Sequence, residues 1–223
     1  SDAYWQKIGE TFSWIKKWDN VRNGGFDNLD MKWFDGAKLN ITENCLDRHV
    51  ATQPDKVAII WEPNDPKENH RIITYKQLHL NVSQFAQVLI NNGVQKGDRV
   101  CIYLPMIPDL AISVLACARI GAIHSVVFAG FSSTALASRI NDANCNILIT
   151  SDGAYRGDKI TPLKYISDEA MKNTPSIEKC IVLKRTNSEI TMKDGRDVWW
   201  EDECAKVDSS NEAVAVESED PLF

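Results

Sequence analysis

The sequence predicts an α/β fold in which a mostly parallel sheet carries helices on both faces. Beyond residue 55, apolar segments of strand length alternate with longer segments of helical periodicity. The strand segments are continuous apolar runs, which are typical of parallel strands buried on both faces. The chain has 223 residues, of which 43% are hydrophobic, so it can form a substantial core.

Residues 1–54 differ from the rest, and we expect them to form an aromatic-rich extension that packs on the main body, residues 55–223. The first part of this extension, 3–18, has the apolar period of a helix. Its predicted apolar stripe consists of Tyr4, Ile8, Phe12 and Ile15. A helix lying on a membrane surface is disfavoured, because the polar face is only weakly basic.

The main body begins with a predicted hairpin of two strands, 57–62 and 71–75, joined by a polar loop with two prolines. A helix over 74–92 follows and ends at Gly93, which suits a C-cap. The remaining predicted elements are strand 99–105 with helix 107–120, strand 123–128 with helix 132–142, strand 145–150 with helix 162–172, and strand 179–184 with a short hairpin and a helix near 198–206. The acidic stretch after this helix is loop-like, and we expect the domain to continue past Phe223.

Composition argues against several classes of function. The net charge of −6 makes nucleic acid and anionic membranes poor partners. No apolar run approaches the roughly 18 residues that a membrane-spanning helix needs, and the first residues lack the pattern of a signal peptide. The six cysteines are widely spaced and have no histidines nearby, so we expect buried, reduced thiols, no metal site and a cytoplasmic protein.

Two loops that follow predicted strands are candidates for a binding site, AGFSS (129–133) and TSDGAYRGDKITP (150–162). In a parallel sheet both loops emerge at the same edge, a few strand spacings of about 4.8 Å apart. The first loop offers Phe128 and Phe131 as apolar walls, with Gly130 allowing close approach of the backbone.

The second loop offers Arg156 and Lys159 on either side of Gly157. Apolar walls beside two cations suit a ligand with an apolar arm and a phosphate. The pattern also permits a simpler interpretation, in which the glycines are turn residues and the charges are solvated. Asp152 and Asp158 would then partly neutralise the loop.

The sequence contains no complete catalytic constellation. The nucleophile elbow, the zinc-protease motif, the dinucleotide fingerprint and the phosphate-binding P-loop are all absent. His124 at a strand start is more typical of a core histidine than of a catalytic one. Asp47 and His49 have no nucleophile nearby in the sequence.

At the level of longer segments, the chain resembles a known family. The runs KWFDGAKLNITENCLDRHV (32–50) and GVQKGDRVCIYLPMIPDLAISVLACARIGAIHSVVFAGFSSTALASRI (93–140), and the loop leading into PLK (162–164), are similar to the N-terminal part of the acetyl-CoA synthetases. These are acetate:CoA ligases of the adenylate-forming superfamily. The resemblance covers nearly the whole chain and implies an incomplete N-terminal subdomain of such an enzyme.

The resemblance implies a reaction in two steps, in which acetate and Mg-ATP form acetyl-adenylate and the thiol of CoA then takes the acetyl group. The motifs for the first step do not occur in this segment, so ATP and Mg²⁺ are expected to be bound mainly elsewhere. The segment alone is expected to be inactive and to need the rest of its own chain. Alternatives are a propionyl-CoA or other short-chain acyl-CoA synthetase, or a stand-alone binding module without catalysis.

For CoA, the resemblance implies a site on the two candidate loops. Phe128, Ala129 and Gly130 are expected to line the tunnel for the pantetheine arm. The basic residues of 156–159 are expected to hold the nucleotide end, which places Arg156, Gly157, Asp158 and Lys159 at the site. Related enzymes often have arginine at the last of these positions, and lysine lacks bidentate geometry.

Overall fold

The computed structural model describes residues 1–223. Its strands are β1 (Asn20–Asn23), β2 (Lys32–Asp35), β3 (Lys38–Leu39), β4 (Val57–Trp61), β5 (Arg71–Thr74), β6 (Arg99–Ile102), β7 (Ile123–Val126), β8 (Ile147–Ser151), β9 (Ala154–Arg156), β10 (Lys159–Thr161), β11 (Lys179–Leu183), β12 (Asp197–Trp199) and β13 (Val216–Glu217). Its helices are α1 (Asp2–Gly9), α2 (Arg48–Thr52), α3 (Tyr75–Asn91), α4 (Pro108–Arg119), α5 (Ser133–Ala143), α6 (Leu163–Met171) and α7 (Trp200–Cys204). A π-helical turn, Glu43–Asp47, leads into α2.

Five parallel strands form the central sheet in the order β12-β11-β8-β6-β7. Alternate residues of β6 point to opposite faces: Val100 and Ile102 pack with α3 and α4, whereas Cys101 packs with α5 and α6. Each face of the sheet therefore has its own buried cluster, of 23 and 14 residues. The predicted α/β class, with helices on both faces, is confirmed.

The predicted helix over 74–92 is confirmed and has a clear local cause. Thr74 accepts a hydrogen bond from the backbone N–H of Gln77, and the Gln77 side chain accepts one from the backbone N–H of Thr74. This reciprocal capping box satisfies two N–H groups that the first turn would otherwise leave unpaired. Gly93 follows the helix with a φ of +95°, which glycine adopts without the steric penalty of a side chain.

The prediction of one helix over 3–18 is wrong beyond residue 9, because tertiary contacts override the helical period. The indole nitrogen of Trp14 donates to the carbonyl of Gly9 at 2.7 Å, and the backbone of Lys16 pairs with Lys38. A Cβ on Gly9 would lie 2.6 Å from the Phe34 ring, so the chain leaves α1 where aromatic rings pack on its backbone. The predicted apolar stripe remains exposed: Tyr4, Ile8, Phe12 and Ile15.

Two further elements differ from the sequence prediction. Residues 150–162 are not an irregular loop, since β9 and β10 form an antiparallel hairpin within them. The predicted short hairpin after 179–184 is wrong as well, because β12 joins the central sheet parallel to β11. In both cases the strand is only three residues long, and the sequence pattern of so short a strand is weak.

Buried polar contacts connect the extension to the main body. The side-chain nitrogen of Asn40 donates to the carbonyls of Ala118, Arg119 and Val214. Arg119, only 3% exposed, donates twice to Asp47, at 2.9 and 3.1 Å. Burial alone would raise the pKa of the Asp47 carboxyl, but hydrogen bonds from His79 and Arg119 outweigh it and hold that pKa well below its usual range.

All six cysteines have free thiols. Four of them are buried, as expected from the sequence: Cys101, Cys117, Cys145 and Cys180. Cys45 is exposed and Cys204 is half-buried. Among the helices, none combines the length and the apolar character needed to cross a bilayer.

Candidate functional site

The candidate site is a cleft at the carboxyl edge of the central sheet. The segments that follow β6, β7 and β8 meet there, since β6 lies between the other two strands. They enclose a cavity of about 350 Å³. Its lining is Trp61, Glu62, Pro63, Asn64, Pro105, Met106, Ile107, Phe128, Ala129, Gly130, Ala154, Tyr155, Arg156, Thr161 and Arg185.

The loop after β7 forms the apolar wall of this cleft. The Phe128 ring is 61% exposed and lies edge-on to Phe131, with the ring centroids 5.8 Å apart. The hydroxyl of the buried Tyr103 donates to the carbonyl of Phe131 at 2.7 Å and so holds the loop to the sheet. Burial raises the pKa of Tyr103 to about 12, so its hydroxyl remains a donor to a higher pH than that of an exposed tyrosine. The guanidinium of Arg139 stacks on the Phe131 ring at 4.4 Å.

The β9–β10 hairpin forms the basic wall. Gly157 and Asp158 make its two-residue turn, with a positive φ of 58° at Gly157 only, as in a type II′ turn. Arg156 and Lys159 are directly paired across the hairpin, so their side chains leave the same face. Neither side chain makes an ion pair or a hydrogen bond within residues 1–223, and both remain available to a ligand.

Four of the residues singled out in the sequence line the cavity: Phe128, Ala129, Gly130 and Arg156. Gly157, Asp158 and Lys159 do not line it and lie at the exposed turn. The backbone of Gly157 is bound by Asn64, whose amide accepts from its N–H at 3.2 Å and donates to its carbonyl at 3.0 Å.

Asp152 has a structural role that the sequence did not indicate. Asp152 is only 1% exposed, and its carboxylate accepts hydrogen bonds from the backbone N–H groups of Gly153, Arg185, Thr186 and Ser188, at 2.7 to 3.0 Å. The carboxylate therefore joins the end of β8 to the segment after β11 through hydrogen bonds from backbone N–H groups.

Trp61, Asn64 and Arg185 are among the residues of the cleft that the sequence interpretation missed. Trp61 ends β4, and its indole nitrogen donates to the carbonyl of Met106 at 2.9 Å. Asn64 lies in the loop between β4 and β5, and the sequence pattern indicated only a polar loop at this position. A signal for Arg185 was its position two residues after a buried strand, the same kind of position that pointed to the other two loops.

The weaker sequence candidates lie outside the cleft. His124 is buried, its pKa is lowered by burial, and it packs near Phe223, in agreement with the interpretation of a core histidine. Asp47 forms the ion pair with Arg119, whereas His49 packs on the ring of Tyr75. No three histidine, cysteine, aspartate or glutamate side chains of residues 1–223 are grouped to hold a metal ion.

The fold and the cleft together define an α/β protein with a candidate ligand site at the carboxyl edge of a parallel sheet. The chain belongs to the AMP-binding enzyme family, since the sequence profile of this family matches residues 46–223. Residues 1–45 match the acetyl-coenzyme A synthetase N-terminus.

Individual relatives agree with this assignment. The chain is 47% identical to an acetyl-coenzyme A synthetase of Bdellovibrio bacteriovorus and 50% identical to one of Desulfatibacillum aliphaticivorans. Each match covers 100% of this chain but only 35% and 34% of the relative, so the chain spans about a third of their length. The acetoacetyl-CoA synthetase of Streptomyces lividans superposes with a TM-score of 0.89 at 26% identity, over 99% of this chain and 33% of that one. The resemblance to the N-terminal portion of the acetyl-CoA synthetases is confirmed.

Proposed function

We propose that this chain is the N-terminal portion of an ATP-dependent acetate:CoA ligase and carries part of its CoA site. The observation that carries the proposal is the cleft, in which an exposed aromatic residue, Phe128, and an uncommitted guanidinium, Arg156, line the same cavity. CoA has a matching pair of features, a pantetheine arm and a phosphorylated nucleotide. Two relatives are named acetyl-coenzyme A synthetase, which supports acetate as the acid that is activated.

In this proposal the loop after β7 guides the pantetheine arm. Phe128, Ala129 and Gly130 form one wall, and the absence of a side chain at Gly130 lets the arm approach the backbone. The wall is fixed to the sheet because the Tyr103 hydroxyl donates a hydrogen bond to the Phe131 carbonyl of this loop. Its part in the reaction is to orient the thiol, which lowers the entropic barrier of the acyl transfer.

The hairpin binds the nucleotide end of CoA. Arg156 at the cavity wall offers a bidentate contact to one phosphate, and Lys159 on the same hairpin face offers a point charge to another. Gly157 and Asp158 shape the turn between them and do not contact the ligand through the cavity. This division explains how Gly157, Asp158 and Lys159, which lie outside the lining, can belong to the site.

Adenylation is proposed to depend on residues outside this segment. ATP and Mg²⁺ would be bound mainly there, and the segment by itself would be inactive, since the sequence motifs for the first step do not occur in it. Within the segment, residues 1–54 serve as an extension to the body formed by 55–223. The free thiols favour a reducing compartment, and we place the protein in the cytoplasm.

The test is to assay the product of the complete gene for acetyl-CoA formation from acetate, ATP and CoA. Activity with acetate at a higher kcat/KM than with propionate supports the proposal. A higher kcat/KM for propionate would replace it with a propionyl-CoA synthetase. A product that binds CoA but forms no thioester, with any short-chain acid, would replace it with a binding module.

A further inference from the structure

Arg185 connects two segments that line the cleft. Its guanidinium stacks on the ring of Trp61 at 5.3 Å and on the ring of Tyr155 at 4.8 Å. It also forms an ion pair with Glu68 at 2.7 Å, with both side chains largely shielded from solvent. Trp61 and Glu68 belong to the β4–β5 region, whereas Tyr155 belongs to β9. One guanidinium thus joins the β4–β5 loop to the basic hairpin.

The backbone of Arg185 is also fixed by a hydrogen bond. Its N–H donates to the buried carboxylate of Asp152 at 2.8 Å, next to the bonds from Thr186 and Ser188. Asp152 stands between β8 and β9, only two residues before the hairpin begins. The distance from Arg185 to the base of the hairpin is therefore set through a single buried side chain.

The hairpin needs such support. Each of its strands has three residues, and an isolated hairpin of this length is marginally stable in water. Asn64 binds its turn through the backbone of Gly157, and Arg185 binds its base through Tyr155. Both supports depend on the β4–β5 loop, because this loop contains Asn64 and also Glu68, the ion-pair partner of Arg185.

The three neighbouring cations differ in the contacts they already make, and this difference separates their roles. Arg185 has a carboxylate partner and two aromatic faces, so a phosphate would have to compete with all three. Arg156 and Lys159 have no side-chain partner among residues 1–223 and can meet a phosphate at once. We propose that Arg185 is a positioning residue for CoA, which acts by holding the hairpin so that Arg156 faces the cavity. This inference rests on the proposed function.

The experiment is a double-mutant cycle in the product of the complete gene, with KM for CoA as the readout. Arg156→Ala is expected to raise this KM by about tenfold or more, which is the loss of one charge-assisted contact. Arg185→Ala is expected to raise it several-fold. In a Lys159→Ala background, where Arg156 is the remaining phosphate-binding cation of the hairpin, the double variant should lie within about twofold of Arg156→Ala, because Arg185 acts through the hairpin. Effects that multiply in the double variant would overturn the proposal and make Arg185 a direct phosphate ligand.

Arg185→Lys and Arg22→Ala complete the set. Lysine keeps the charge but loses the planar stacking, so a KM between those of the wild type and Arg185→Ala is expected. Full rescue by lysine would argue for a simple charge effect and against positioning. Arg22 is the control: it forms an ion pair with Asp2 at 3.3 Å, and neither residue lines the cleft. Its removal should leave KM for CoA within about twofold, as expected for a site that does not couple.

Hydrogen exchange gives a readout that does not depend on CoA. Amides of 154–161 should exchange faster in Arg185→Ala and at the wild-type rate in Arg156→Ala. Unchanged exchange in Arg185→Ala would overturn the positioning role, whatever the kinetics. An unchanged KM for CoA in Arg156→Ala would instead overturn the proposed CoA site. If Arg185→Ala fails to fold, Glu68→Gln tests the same support, with faster exchange over 154–161 expected and unchanged exchange counting against it.

Discussion

A Cβ atom on Gly130 would lie 2.4 Å from Cε1 of Phe128, so the glycine is what allows the aromatic ring to lie against the backbone of its own loop. Contacts of side-chain carbon atoms at this distance do not occur in folded proteins. The apolar wall of the cleft therefore depends on one residue pair, whose members are only two positions apart.

Gly130→Ala should displace the Phe128 ring and raise KM for CoA several-fold in the complete gene product. Because the ring is mostly exposed, little buried contact is lost, and the thermal unfolding midpoint should change by no more than about 2 °C. Steady-state kinetics and thermal scans measure the two quantities. Gly25→Ala is the matched control, since a Cβ there meets nothing within 4 Å. An unchanged KM for Gly130→Ala would mean that the wall does not touch CoA.

Arg156→Ala should separate the two half-reactions. The proposed role of Arg156 concerns only CoA, so acetate-dependent exchange between ATP and pyrophosphate should stay within about twofold of the wild type, while KM for CoA rises. The exchange assay contains no CoA and reports the first step alone. Equal loss in both assays would identify Arg156 as a structural residue.

Lys159→Arg should tighten CoA binding. The side chain leaves the same hairpin face as Arg156 and is unpaired, so arginine can add a bidentate phosphate contact without breaking an existing bond. A decrease of KM for CoA by roughly two- to tenfold is expected, which corresponds to about one additional hydrogen bond. Lys172→Arg on α6 serves as the control for the substitution itself. An increase of KM would place the ligand on the other face of the hairpin.

Asp47→Asn should destabilise the protein in a pH-dependent manner. The substitution leaves the buried guanidinium of Arg119 without its charge partner, which we expect to lower the free energy of unfolding by about 2 kcal/mol at pH 7, a value reduced because the carboxylate is one-third exposed. The folded-state pKa of Asp47 is depressed, so its contribution is fully present above the unfolded-state pKa of about 3.9 and decreases as the pH falls below that value.

Urea denaturation of the 223-residue chain at pH 7 and pH 3 measures this difference. The gap between wild type and Asp47→Asn should be smaller at pH 3. Asp19→Asn, which removes an exposed pair with Lys16, should change the free energy of unfolding by less than about 0.5 kcal/mol at either pH. A gap of the same size at both pH values would contradict the ionic role of Asp47.

The sequence predicted most of the central sheet and its helices, because buried strands such as β8 and capped helices such as α3 have strong local signals. It failed where the outcome depends on distant partners. The end of α1 at Gly9 is determined by Trp18 and Phe34, and the sequence distance between these residues hides the contact.

At the site, Gly130 and the two free cations could be identified as candidates because their loops follow predicted parallel strands, at the edge of the sheet where ligands bind. Arg185 also follows a buried strand, but nothing local indicates that its guanidinium will stack on Trp61 and Tyr155. The structural role of Asp152 was missed for a related reason. Its charge was visible in the sequence, but the four backbone N–H groups that surround it come mostly from a segment more than 30 residues away.

The pairing of the extension with the last residues has a consequence during synthesis on the ribosome. The backbone N–H of Trp33 donates to Glu219, 186 residues further along the chain, and β3 pairs with β13. At 5 to 20 residues per second, translation needs on the order of 10 to 40 s to deliver that partner. Throughout this interval β3 has emerged without its partner strand β13. The nascent chain is therefore most exposed to aggregation, and to chaperones, at its amino-terminal end.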